Sequence, residues 1–348
     1  MKILVLNRGS STIKCSLYDN FTGTFTLPSW EDNKLVKREI EGVQAIGHRI
    51  VHGGNHFKKS ALIDSTVKDK IASLAKLAPL HNLTELEDIK KMEKLFPNTP
   101  QIAVFDTAFH HTLSEAAFTY PGPYKWAEEG IRRYGFHGIS FQYCTKRASK
   151  LLNQDQKGLK MVICHLGAGA SLCAVKDGKS IDTTMGFTPL EGLMMDTRSG
   201  SIDPGILLHL LDNKSPKELS FELYHASGLL GISGIPGGMQ AIIDNPSSRT
   251  KLALDIYIHR LTSLIGSMVA SLNGIDALIF TAGIGENAPV VRERVTNALS
   301  FLGIKLETNE NSPEDQILSS PTSKVKVLLI HTQESFEIAN DCFTSVSK

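Results

Sequence analysis

Two turns rich in glycine and small residues, each flanked by apolar runs, open the two halves of the chain. The first joins Lys2-Ile3-Leu4-Val5-Leu6 to Ile13-Lys14-Cys15-Ser16-Leu17-Tyr18 through Asn7-Arg8-Gly9-Ser10-Ser11-Thr12. The second joins Met161-Val162-Ile163-Cys164 to Leu172-Cys173-Ala174-Val175 through His165-Leu166-Gly167-Ala168-Gly169-Ala170-Ser171. Glycines let backbone N–H groups converge on an anion, and hydroxyls add donors. One such turn is an ordinary hairpin. The pair points to a duplicated fold that grips phosphate from two sides. At 348 residues the chain has room for two cores.

Apolar, β-branched runs predict strands at 3–6, 45–51, 101–105, 161–164, 172–175, 277–280 and 325–330. Asp177-Gly178 predicts a tight hairpin turn. Helical spacing predicts helices over 65–77, 83–95, 141–152 and 251–272, the last closed by a left-handed cap at Asn273-Gly274. Hairpins followed by strand–helix alternation, in both halves, give an α/β class with mixed sheets. The expected division is 1–107 with 336–348, and 108–335. No Pro/Ser-rich linker separates these parts, so a hinged cleft is expected between them.

A net charge of +1 gives no reason to expect nucleic acid or a membrane surface as partner. No apolar run reaches transmembrane length, and the N-terminus does not read as a signal peptide. The five cysteines are scattered and odd in number, which suits a reducing, cytoplasmic setting.

Five segments carry candidate chemistry. In Gly47-His48-Arg49-Ile50-Val51-His52-Gly53-Gly54, Arg49 sits in an apolar strand and needs an anionic partner, either a ligand or an internal ion pair. Asp106 follows the strand at 101–105, where an acid faces a ligand crevice or caps a helix. Arg132-Arg133-Tyr134-Gly135-Phe136-His137-Gly138 holds more donors than core packing requires. His137 reads as a ligand group or as a structural histidine. The long segment 183–205 carries Arg198, suited to a phosphoryl group, or else a surface arginine on a mobile loop. Phe280-Thr281-Ala282-Gly283-Ile284-Gly285-Glu286-Asn287 is a strand–GxG–helix junction able to seat a nucleotide, and weak by itself.

In order and together, "GHRIVHGG", "RRYGFHG", "MGFTPLEGLMM", "TRSG" and "FTAGIGEN" closely resemble the acetate kinase family. The resemblance implies duplicated actin-like (ribonuclease H-like) domains with mixed β-sheets flanked by helices. It implies a cytoplasmic homodimer that transfers the γ-phosphoryl of ATP to a short carboxylate, acetate first, with Mg²⁺. By the same resemblance, Arg49, Asp106, His137 and Arg198 are catalytic. Arg49, Val51, Leu80, Phe136 and Pro189 bind substrate. Lys14, His165, Gly167, Gly169, Gly283, Ile284, Gly285 and Asn287 bind nucleotide. Asn7 and Glu334 serve the metal, with Asp106 helping, while Ser10 and Thr12 lie at the phosphate end. Propionate or butyrate kinase, a non-ATP phosphoryl donor, and a non-catalytic nucleotide-binding relative are the alternatives.

The chain departs from the family pattern in places. Ala168 stands for the usual Asn, Asp196 for a Gly, and Arg8 for a small residue. Gly238-Met239-Gln240 stands where an Asp-x-Arg triplet contacts adenosine. The expectation from sequence is a weakened adenosine grip, strengthened by Gly238→Asp with Gln240→Arg.

Overall fold

The computed structural model describes residues 1–8, 13–19, 22–26, 30–31, 34–35, 40–76 and 82–347. The strands in chain order are β1 (Lys2–Arg8), β2 (Ile13–Asp19), β3 (Thr24–Thr26), β4 (Trp30–Glu31), β5 (Lys34–Leu35), β6 (Val43–Ile50), β7 (Ala61–Leu62), β8 (Gln101–Phe105), β9 (Lys160–Leu166), β10 (Ala170–Lys176), β11 (Lys179–Thr183), β12 (Ala277–Thr281), β13 (Gln316–Ile317) and β14 (Lys326–Leu329).

Two six-stranded sheets share one plan, β3-β2-β1-β6-β8-β7 and β11-β10-β9-β12-β14-β13. In each, an antiparallel hairpin gains a third antiparallel strand on one side. On the other side come two parallel strands and a short antiparallel edge. Every step of one sheet has its counterpart in the other, so the expected duplication and mixed pairing are both present.

The chain forms two compact units, 1–111 with 136–143 and 333–348, and 112–135 with 144–332. In the first, alternation along β1 sends Ile3 and Val5 to one face and Leu4 and Leu6 to the other. Ile3 and Val5 pack with Ile102, Val104, Ile338 and Cys342. Leu4 and Leu6 pack with Cys15, Leu17, Ile46 and Met92. The C-terminal helix, Glu334–Val346, lies so close to β6 that a Cβ on Gly47 would come 2.6 Å from Cys342 Sγ and from Ile338 Cγ2.

In the second unit, the helix Ser248–Leu272 buries Tyr257, Ile258, Leu261, Ile265, Met268 and Leu272 at helical spacing. Its N-terminus is closed by a Ser247–Thr250 capping box and its C-terminus by Asn273 at φ 52°. Asp177 and Gly178, at φ 54° and 73°, make the expected turn between β10 and β11.

Candidate active site

The first unit gathers polar groups at the carboxyl ends of its parallel strands, where ligands of open α/β sheets bind. Arg49 lies near the end of β6, and Asp106 immediately follows β8. Arg49 Nε and Nη2 donate to Asp106 Oδ2 at 3.0 and 2.5 Å. Its Nη1 donates to Asn7 Oδ1 at 3.3 Å and to Arg8 O at 3.2 Å. A guanidinium has five N–H donors, so among the described residues these bonds leave one on Nη2. Asn7 Nδ2 in turn donates to Glu334 Oε2 at 2.9 Å, across 327 residues of sequence. The internal ion pair considered for Arg49 is therefore present, with one donor to spare.

Asp106 is buried and its Oδ1 has no partner among the described residues. Burial pushes its carboxyl pKa up, Arg49 pulls it down and Glu334 pushes it up again. Burial works against the charge of Arg49, but Asp106, Glu334 and Glu85 outweigh it, raising its pKa. The backbone around Asp106 is shared with the "GFHG" motif. Gly138 N–H donates to Asp106 O at 2.8 Å, and a Cβ on Gly138 would fall 2.2 Å from that oxygen. His137, just before it, has φ 58°, a left-handed conformation uncommon outside glycine.

Val51 and Phe136 are buried, and the His52 ring meets Phe136 edge to face at 5.5 Å. Lys14 is exposed and lies opposite Asn7 in the hairpin register. Leu80, Ser10 and Thr12 lie outside the described residues.

Sequence reasoning missed Glu85. It lies on the helix Asn82–Leu95 beside Leu86, on a face that also buries Ile89 and Met92. An acid in step with that apolar stripe was the available signal. Its Oε2 accepts the Val51 N–H at 3.1 Å, and its Oε1 is buried without a partner among the described residues. Burial pushes its pKa up to about 8, against the Val51 N–H and Arg49, which lower it. The folded protein therefore holds this proton to about pH 8. The unfolded chain releases it near pH 4.3, so stability falls as pH rises through that window. Glu85→Gln keeps an acceptor for Val51 and removes the titration. It should stabilise the protein at pH 8 by on the order of 4–5 kcal/mol and change little at pH 4, as read by denaturant melts at both pH values.

In the second unit, Arg198 stands on the irregular segment between β11 and the helix Pro204–Leu210. The segment is pinned by backbone bonds: Asp196 N–H to Ala168 O and Ser199 N–H to Leu223 O, both 3.1 Å, and Ser201 N–H to Gly192 O at 3.0 Å. These bonds count against a freely moving surface arginine. Gly200 has φ 70°, and a Cβ there would sit 2.4 Å from Leu193 O. Arg198 Nη1 donates to Pro189 O at 3.3 Å. No carboxylate among the described residues pairs with it, and burial lowers its pKa.

The other arginines of "RRYGFHG" are spent on structure. Arg133 Nη1 lies 3.0 Å from the carbonyl oxygens of Thr183, Thr184 and Met185, and Nη2 lies 2.5 Å from Glu191 Oε1. The Arg132 guanidinium stacks 3.4 Å over the Phe118 ring.

The expected nucleotide end forms a cavity of about 180 Å³ whose walls include Gly167, Gly283, Ile284 and Asn287. Parallel pairing of β9 with β12 sets His165 beside Thr281, which brings the glycine turn to the GxG junction. His165 and Gly285 are buried, and His165, Gly169 and Gly285 are not among the cavity's walls. Gly285 O accepts from Arg292 Nη1 at 2.9 Å. Arg292 is fully buried and also binds Glu286 O and Asn309. Ala282, at φ 65°, is held through its N–H by Glu286 Oε1 at 2.7 Å. Ala168, Met239 and Gln240 complete much of the wall.

Gly238 has φ 68°, and the atoms nearest to a Cβ built there belong to the Asp196 carboxyl group, Oδ1 at 3.5 Å. This reverses the sequence-based expectation for Gly238→Asp. A side chain there is conformationally strained, and its carboxylate would face another at close range.

A model of the acetokinase family matches residues 24–340. The acetate kinase of Gloeobacter violaceus is 53% identical, with 99% of each chain covered. That of Trichormus variabilis is 51% identical over 88% of this chain and 77% of its own. The crystal structure of Porphyromonas gingivalis acetate kinase matches with TM-score 0.91 at 35% identity over 99% of both chains. A propionate kinase from Francisella tularensis matches with TM-score 0.90 at 36% identity, also over 99% of both. With its doubled, actin-like α/β fold and these matches over nearly its whole length, the chain belongs to the acetokinase family.

Proposed function

We propose that the chain is an acetate kinase that transfers the γ-phosphoryl of ATP to acetate, reversibly giving acetyl phosphate and ADP. The observation that carries this reading is Arg198, a half-buried guanidinium on a pinned loop with no anionic partner among the described residues. Transfer to a carboxylate needs no strong base, because the acceptor is ionised at neutral pH. The protein must instead overcome repulsion between two anions and stabilise charge on the equatorial oxygens. Arg198, the spare Nη2 donor of Arg49 and the His137 ring suit that task. They support direct in-line transfer with no phosphoenzyme.

Mg²⁺ fits the first unit's acids. Asp106 Oδ1 is buried without a partner among the described residues, and Glu334 is oriented by Asn7. Two carboxylates suit a hard cation that keeps several waters. Asp106 and Glu334 would hold the ion, which when bound neutralises phosphate oxygens. Asn7 acts here by orienting Glu334 and Arg49. The cavity at Gly167, Gly283, Ile284 and Asn287 supports ATP and ADP as the nucleotides, with Lys14, His165, Gly169 and Gly285 assigned to the same end.

Val51, Leu80, Phe136 and Pro189 are proposed as the acyl-methyl pocket. Val51→Ala should raise kcat/KM for propionate relative to acetate by about 10-fold, the value of roughly one methylene. An unchanged ratio in competition assays would place the pocket elsewhere.

The two compact units are proposed as the N- and C-terminal domains. A homodimer is proposed from the exposed Ile206, Leu208 and Leu211 around one short helix, with light scattering as its check. Five free, buried cysteines support a cytoplasmic setting. No single helix among the described residues is long and apolar enough to cross a membrane.

The test is acyl phosphate formation, trapped as hydroxamate, with acetate, propionate or butyrate and with ATP or pyrophosphate, with and without chelator. Product from acetate and ATP, lost with chelator, is expected. A preference for propionate would favour the second reading, which the match to the Francisella propionate kinase supports. No product with any pair would overturn the kinase reading.

A further inference from the structure

Among the described residues, the Arg198 guanidinium has one oxygen partner, the backbone carbonyl of Pro189. That carbonyl sits on a short span, 188–190, with little to hold it from within. Its one internal bond runs from Leu190 N–H to Thr188 Oγ1 at 3.3 Å. What fixes the span lies on its two flanks, and the same side chains hold both.

On the upstream flank, Arg133 Nη1 lies 3.0 Å from the carbonyl oxygens of Thr183, Thr184 and Met185. Gly186 O accepts the N–H groups of Tyr134 and Gly135 at 3.1 and 3.3 Å. Tyr120 Oη accepts the Phe187 N–H at 2.9 Å. On the downstream flank, Glu191 Oε1 accepts Arg133 Nη2 at 2.5 Å, and Oε2 accepts the Tyr120 hydroxyl. Burial and Glu191 both push the Tyr120 pKa up, so the hydroxyl keeps its proton and donates. A Cβ on Gly186 would collide with Glu191 Oε2 and with Tyr120 Oη. The bracket therefore closes directly over the backbone that it holds, and all of it lies in the second unit.

The bracket does not serve to seat a core side chain, because residues 187–190 are all only half-buried. Its effect falls on the backbone between its jaws. With 187 and 191 held, and the φ of Pro189 set by its ring, the Pro189 carbonyl has little freedom. A carbonyl fixed in this way gives a direction to a guanidinium that has no other oxygen partner among the described residues. Misplacing a catalytic group by about 1 Å can cost about 100-fold in rate.

We propose that Arg133, Glu191 and Tyr120 are positioning residues, which fix the span at 187–191 so that the Pro189 carbonyl aims Arg198 at the transferring phosphoryl group. The proposal rests on the kinase reading above and adds what holds its arginine in place.

The experiment is a double-mutant cycle in acyl phosphate formation from acetate and ATP. It compares the full chain, Tyr120→Phe, Glu191→Gln, Arg198→Ala, and the two double variants that carry Arg198→Ala. Tyr120→Phe removes a single hydroxyl and Glu191→Gln keeps the shape of the side chain, so either can carry the cycle if the other does not fold. Each should lower kcat about 10-fold. The KM for ATP should change by less than about twofold, because other residues wall the nucleotide cavity. In the Arg198→Ala background the same changes should cost less than about twofold, because the group they position is gone. A 10-fold loss that persists in that background marks a merely structural role and overturns the proposal. A kcat loss accompanied by an equal rise in the KM for ATP does the same, as general damage to the unit. An unchanged kcat in either folded single variant removes that residue from the bracket and overturns the proposal as well. Failure of the kinase reading would show separately, as parent protein that makes no acyl phosphate with ATP, and would remove the proposal with it.

Discussion

Arg198→Ala should lower kcat by about 1,000-fold, the scale of an arginine that stabilises a transferring phosphoryl group, without destabilising the protein. The two halves of this expectation have one cause. Arg198 has no carboxylate partner among the described residues, and burial disfavours its charge. Among the described residues, removing it takes a side-chain donor only from Pro189 O and from the weak acceptor Met195 Sδ. The melting temperature should stay within about 2 °C or rise slightly, as happens where function holds a group the fold would rather lose. Arg198→Lys should recover little, because an ammonium cannot span two phosphoryl oxygens as a guanidinium does. Steady-state kinetics with a thermal melt would check both halves. Near-normal turnover would remove Arg198 from the chemistry.

Arg49→Ala should differ by damaging the fold as well as the reaction. Arg49 is the counter-ion of Asp106, which is 1% exposed, and it also bonds to Asn7 and Arg8. Truncating one member of a buried ion pair strands the other, at about 3–5 kcal/mol. For a unit of this size that is a fall of roughly 10 °C in melting temperature. Activity should be lost with it, because Asp106 and Glu334 lose the charge that holds them near one another. Asp106→Asn in the Arg49→Ala background should recover much of the stability and none of the activity. A double variant no more stable than the single one would show that the pair does not carry the stability assigned to it.

The two arginines show how far the residues could be read without coordinates. Both stood out as charges in apolar or irregular segments, each with a structural alternative. For Arg49 the alternative is present alongside one remaining donor, because Asp106 follows the neighbouring strand in register. For Arg198 the pinned backbone and the missing partner tell against it. Arg132 and Arg133 read alike in the sequence as donors for a ligand, yet they stack on Phe118 and clamp three carbonyls. Residue type alone could not separate these cases, since a guanidinium serves a carbonyl cluster as readily as a phosphate.

What the sequence determined by itself was local and repetitive. Continuous apolar, β-branched runs named the strands, 3.6-residue spacing named the helices, and Asp177-Gly178 and Asn273-Gly274 marked a turn and a cap through positive φ. The repeated hairpin announced the duplication because turn chemistry and strand periodicity are short-range. Tertiary structure alone decided which distant groups meet. It set Asn7 against Glu334, turned Glu85 inward to Val51 and placed Asp196 against the empty side of Gly238. Such meetings depend on how the sheets and their covering helices pack, so the charge, burial and partners of these carboxyl groups follow from the fold.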